Sequence, residues 1–142
     1  MSKITQEKEY PQTRALTIGK YGCLAMCYLF CANVPISKYY DIISNAMDCG
    51  ILDNECTVLD ASKFIEFTTG KKCTVTKKQF LQEDLEIEMH SATARPVRFD
   101  YKGNSHWVVV EKGLIVFNSL EHSVCVEKGF PSTQRIIKWT SN

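Results

Sequence analysis

Three residues, far apart in the chain, have the types that thiol chemistry needs: Cys23, His106 and Asn118. Cys23 follows Gly22 and opens an apolar run that extends through Ala32. A cysteine in the first turn of a helix lies among backbone N–H groups that lack partners within the helix, and the helix dipole favours negative charge there. Its thiolate is therefore expected to be favoured relative to an ordinary thiol of pKa about 8.5. The same N–H groups can donate to the oxyanion formed when sulfur attacks a carbonyl. Gly22 is expected to leave that approach clear of a side chain.

A thiol nucleophile needs a base, and the base needs an orienting partner. Ser105-His106-Trp107 begins one strand-like run and Phe117-Asn118-Ser119 ends the next, with the turn Lys112-Gly113 between them. Two adjacent antiparallel strands can bring such a histidine and amide together. The imidazole would take the thiol proton and later give it to the leaving group, while the Asn118 oxygen holds the ring in the productive tautomer. Trp107 is a neighbour of the base that could line a cleft, although a strand tryptophan more often packs in a core.

The other candidates point elsewhere. Cys23, Cys27 and Cys31 recur every four residues, but the first and last would lie some 12 Å apart along a helix, too far for one tetrahedral metal site. Cys27 and Cys31 read as core residues. His90 reads as an exposed loop residue, and His122, four residues beyond Asn118, is the reserve histidine. No metal site and no cofactor is expected.

The elements that must position these residues fall into two groups. Helical patterns come first: the Cys23–Ala32 run, stopped by Asn33 and Pro35; a second helix from Pro35 through Asp48, ended by Gly50; and a third capped by Asp53, Asn54 or Thr57 and ended by Gly70. Strand patterns follow: CTVTKKQF, RPVRFDY, HWVVVE, LIVFNS, SVCVEKG and QRIIKW, with the acidic stretch LQEDLEIEMH left as a loop or short helix. Helices followed by an antiparallel meander make an α+β arrangement.

Composition narrows the function classes. The 142 residues suit one domain with one core, spanning 1–142, with 1–12 expected to form a loosely ordered N-terminal arm. A net charge of +1 with interleaved signs offers no basic stripe for nucleic acid. The first residues lack the pattern of a secretory signal, and no apolar run approaches the roughly 18 residues of a membrane span, so a cytoplasmic location is expected without membrane partners. The seven cysteines, an odd number, then read as free thiols.

The segments Tyr21-Gly22-Cys23-Leu24-Ala25-Met26, Gly103-Asn104-Ser105-His106-Trp107-Val108-Val109 and Val116-Phe117-Asn118-Ser119-Leu120, with Gly50 to Val58 between them, carry a resemblance. In order and context the chain resembles the papain-like cysteine peptidase superfamily, in particular the branch of bacteriocin-processing peptidases and small bacterial and prophage proteins similar to them. The resemblance covers about Thr17 to Gly129. It implies a papain-like fold, N-terminal helices packed on a C-terminal antiparallel sheet, with Cys23 as nucleophile, His106 as base and acid, and Asn118 as orienting residue. A peptide or peptide-like amide would be the substrate. Active members usually carry a glutamine about six residues before the cysteine to complete the oxyanion hole, and Thr17 stands there; Gln12 would have to fold back to replace it. That departure favours one alternative, a papain-like binding or inhibitor module that holds a protein partner in its cleft; a phage cell-wall amidase or endopeptidase, with similar Cys and His geometry, is a variant within the same superfamily.

Overall fold

The computed structural model describes residues 13–140; the expected N-terminal arm and Gln12 lie outside them. Residues 13–21 are helical and form α1, an element that the sequence pattern did not single out. The apolar run becomes α2, Cys23–Cys31, a helix apolar on every side and therefore buried. In α3, Tyr39–Asp48, the buried Tyr39, Ile43, Ala46 and Met47 share one face. The third expected helix begins later than the proposed caps. It is α4, Ala61–Thr69, where Asp60 accepts the Lys63 N–H at 3.0 Å, and the left-handed Gly70 (φ 74°) closes it. Asp53 instead fastens a turn, its Oδ1 accepting the N–H groups of Glu55 and Thr57.

Five strands make one antiparallel sheet: β1 Cys73–Gln79, β2 Arg95–Tyr101, β3 Asn104–Glu111, β4 Leu114–Phe117 and β5 Phe130–Trp139. The turns β2–β3 and β3–β4 each place two successive residues at positive φ, Lys102-Gly103 and Lys112-Gly113, a geometry that matches the twist of paired strands. The meander holds for β2, β3 and β4 only. The spatial order is β1-β5-β2-β3-β4, so β5 returns across the sheet and inserts between β1 and β2.

Two short helices lie among the strands, one as expected and one in place of a strand. The acidic stretch forms a single 3-10 turn, Gln82–Asp84, and α5, Leu85–Met89. SVCVEKG, expected as a strand, forms α6, Val124–Lys128. Its Cys125 enters the core, and a Cβ on Gly129 would stand 2.2 Å from the Asp100 carbonyl oxygen, so close backbone approach rather than strand pairing dictates the local path. Tertiary packing outweighs the β-branched composition of Val124 and Val126.

The sheet thus has a layer on each side. α2, α3 and α4 pack on one face through Ala25, Leu29, Ile43 and Phe64, which meet Ile137 of β5. α5 and α6 cover the other through Met89 and Cys125, against Val97, Phe99, Val108 and Val110. Arg95, buried in β2, ties α5 to that face by donating to the Glu88 carbonyl and to Gln134. All seven cysteines are free thiols, and no described helix is long and apolar enough to cross a membrane.

Candidate active site

α2 lies along β3 and runs in the same direction. Cys23 and Cys27 pack with Trp107 and Val109, whereas Cys31, at the other end of the helix, feels the charges of Glu111 and Arg95. Cys23 is thereby held level with the start of β3, where His106 stands. Its thiol meets the strand at the Trp107 backbone N–H, with the Leu24 and Cys23 N–H groups of the opening turn of α2 also favouring the anion. Burial outweighs these donors and raises the thiol above its ordinary value. The expectation of a favoured thiolate is corrected on this point: the dipole position is as expected, but desolvation dominates.

His106 is buried, and its Nε2 lies 2.7 Å from Asn118 Oδ1. The same oxygen accepts the Leu120 N–H at 3.0 Å, which fixes the amide orientation, because only the oxygen can accept both. Nε2 is therefore the protonated nitrogen and Nδ1 the one able to take a proton. The expected pairing of base and amide across β3 and β4 is present, with Val109 opposite Phe117 one residue before Asn118.

Side chains alternate along β3, so Trp107 and Val109 face α2, while His106 leaves the strand on the side of Val108 and Val110. Cys23 and His106 flank the backbone of residue 107. Among the described residues no hydrogen bond joins Cys23 to His106; the thiol approaches β3 through the amide one residue further on.

The remaining expected site residues take other roles. Gly22 is buried at the junction of α1 and α2: its N–H donates to the Ile18 carbonyl at 2.8 Å, and a Cβ would stand 2.5 Å from that oxygen. It is glycine to let two helices meet, not to clear a path for substrate. Thr17 belongs to α1, and its hydroxyl donates to the Thr13 carbonyl at 3.0 Å within the same helix. Trp107 is buried in the core beside α2 and carries the Arg135 guanidinium 4.6 Å above its ring. His122 is exposed and lies 3.7 Å from Glu127, apart from Asn118's partner. His90 is exposed as expected, with Nδ1 2.7 Å from the Glu86 carbonyl oxygen.

Two contributors escaped the sequence reading. The Trp107 N–H depends on how α2 lies across β3, and the Arg135 stack depends on the return of β5, neither of which local pattern encodes. The other helix thiols behave as core groups: burial pushes Cys31 up to about 12 and Cys27 well above the ordinary range. Among the described residues no cluster of three or more His, Cys, Asp or Glu could hold a metal ion. No family model, curated protein or solved structure matches the chain.

Proposed function

We propose that the chain is a papain-like thiol hydrolase that cleaves a peptide or related amide bond through an acyl-enzyme. The observation that carries the reading is the His106–Asn118 hydrogen bond, with its tautomer set by Leu120, on the strand that the head of the cysteine-bearing helix packs against. Cys23 Sγ attacks the amide carbon as His106 Nδ1 takes the thiol proton, and the Cys23, Leu24 and Trp107 N–H groups favour the negative charge. The carbon–nitrogen bond then breaks, and the proton held by His106 passes to the departing amine. Water, giving a proton to the same imidazole, attacks the thioester; the acid departs and the proton returns to sulfur. Burial raises the thiol, so proton transfer to His106 has to accompany the attack rather than precede it.

A second reading has its own support. Thr17 donates within its own helix rather than into the site, and the thiol is raised rather than lowered, as suits a papain-like module that keeps a cleft for a protein partner without turnover. Alkylation separates the two. Through proton transfer to His106, iodoacetamide should modify Cys23 faster than the exposed Cys49 at about pH 7 in the native protein, and this advantage should vanish in His106→Ala. A Cys23 rate that rises only above about pH 8.5 and ignores the substitution would establish the binding module instead. Screening of peptide and cross-linked cell-wall substrates follows the first outcome.

A further inference from the structure

Lys77 of β1 and Arg135 of β5 stand directly opposite each other across the strand pair. Like charges at opposed positions repel and weaken a sheet. Among the described residues no carboxylate forms an ion pair with either side chain, Arg135 donating instead to the Thr133 hydroxyl at 3.5 Å, although Lys and Arg side chains elsewhere do find carboxylates. Both line one cleft of about 260 Å³ on the α2 face, together with Leu24, Tyr28, Val58 and Ser62. Leu24 is the residue after Cys23, and Arg135 lies over the ring of Trp107, whose N–H faces the thiol. The Asp60 carboxylate lines the same cleft and caps α4 by accepting the Lys63 N–H, without an ion pair to either cation.

A repulsive pair kept at a cleft wall, with apolar side chains beside it and an arginine held flat by stacking, is built to receive an anion. We infer that Lys77 and Arg135 form a carboxylate-binding subsite next to Cys23, so that the molecule bound there is an acidic peptide, presenting either a Glu or Asp side chain or a C-terminal carboxylate to the two cations. This deepens the hydrolase reading and rests on it for the word substrate; the subsite itself stands on the cation pair and the cleft. The neighbouring Leu24, Val58 and Val75 supply an apolar wall for the aliphatic stem of the acidic residue.

Two measurements test it. The first compares alkylation of Cys23 by the α-amides of N-iodoacetylglutamate and N-iodoacetylglutamine, and by N-iodoacetylglutamine with a free α-carboxylate, each divided by the iodoacetamide rate of the same variant. The Glu label should reach half-saturation at about tenfold lower concentration than its neutral counterpart, as one charge-assisted hydrogen bond implies. Lys77→Gln and Arg135→Gln should erase the difference. Preference for the free α-carboxylate would identify a C-terminal carboxylate as the occupant, and preference for the Glu side chain an internal acidic residue. Equal half-saturation for charged and neutral labels overturns the subsite.

The second measurement does not use the thiol: thermal unfolding with millimolar N-acetyl-Glu-amide or N-acetyl-Gln-amide. A saturable rise in Tm with the first only, absent in Lys77→Gln, supports the subsite even if Cys23 proves an ordinary thiol, whereas no rise overturns it even if Cys23 is activated. Lys77→Gln relieves the repulsion, so a folding defect does not obscure the result.

Discussion

The two halves of the candidate site are held very differently. Cys23 heads a helix that is apolar all round and sandwiched between the sheet and α3 and α4, so its position is set by core packing. His106 and Asn118 sit on the β3–β4 hairpin, whose outer strand is four residues long, largely exposed, and the last in the sheet. The pairing of that strand also shifts between Val109 and Val110, just where Asn118 must be aimed. Close packing resists displacement, while a short edge strand with an irregular register yields more readily. Cys23 is the fixed member of the candidate site and Asn118, at the end of the edge strand, the adjustable one.

The strongest way to break this contrast is to remove the base. His106→Ala should lower the Cys23 alkylation rate at pH 7 by about 10²- to 10⁴-fold while leaving Cys49 unchanged, measured by mass spectrometry. Asn118→Ala keeps the base but frees its ring. The loss of one buried hydrogen bond, about 2 kcal/mol, should slow Cys23 roughly thirtyfold, and the pH profile should broaden as both tautomers become populated. A rate unaltered by this change would mean that Asn118 serves the hairpin and not the imidazole.

On the fixed side, effects should register as stability. Gly22→Ala drives a Cβ against the Ile18 carbonyl and should cost about 1–3 kcal/mol in urea unfolding, with no direct effect on hairpin residues. The buried thiols give this side a pH dependence as well. Cys56 is pushed up to about 11 and Cys31 to about 12, so each stays protonated in the folded chain where the unfolded chain has ionised. Their contribution is complete below the ordinary thiol value of 9.0 and is lost as pH rises through the folded values. Stability should therefore be level up to about pH 9 and then fall by up to about 1.4 kcal/mol per pH unit per thiol. Cys31→Ala should flatten part of that slope. The smallest effect belongs to Thr17→Val, which should change Cys23 reactivity less than about twofold because the hydroxyl already donates to Thr13. A tenfold loss would return Thr17 to the oxyanion site.

Local pattern made a good part of this legible. The α+β class, the start of α2 at Cys23 and the β3–β4 hairpin all follow from periodicity and turn residues within short windows. The His106–Asn118 pair was legible for the same reason, since adjacent strands joined by Lys112-Gly113 leave little choice of partner. What escaped depends on distant contacts. Val124-Cys125-Val126 has strand composition, yet the helix forms because Gly129 must touch Asp100. The cap of α4 was placed too early because Asp53 and Asp60 offer the same chemistry, and only the packing of Phe64 and Ile65 selects between them. The level of the Cys23 thiol was misjudged because a dipole is visible in sequence and burial depth is not.

The position of β5 has a consequence in time. β1 has β5 as its neighbour and β2 touches β1's side of the sheet only through β5, although about fifty residues of chain separate β1 from the strand that completes it. During synthesis the helices and the β2–β3–β4 hairpins can assemble as they emerge, but the sheet stays divided until Trp139 has left the ribosome. Arg135 arrives with that last strand, and so does the stack that steadies Trp107 beside the thiol. A growing chain would carry Cys23, His106 and Asn118 before β5 brings the Arg135 stack onto Trp107.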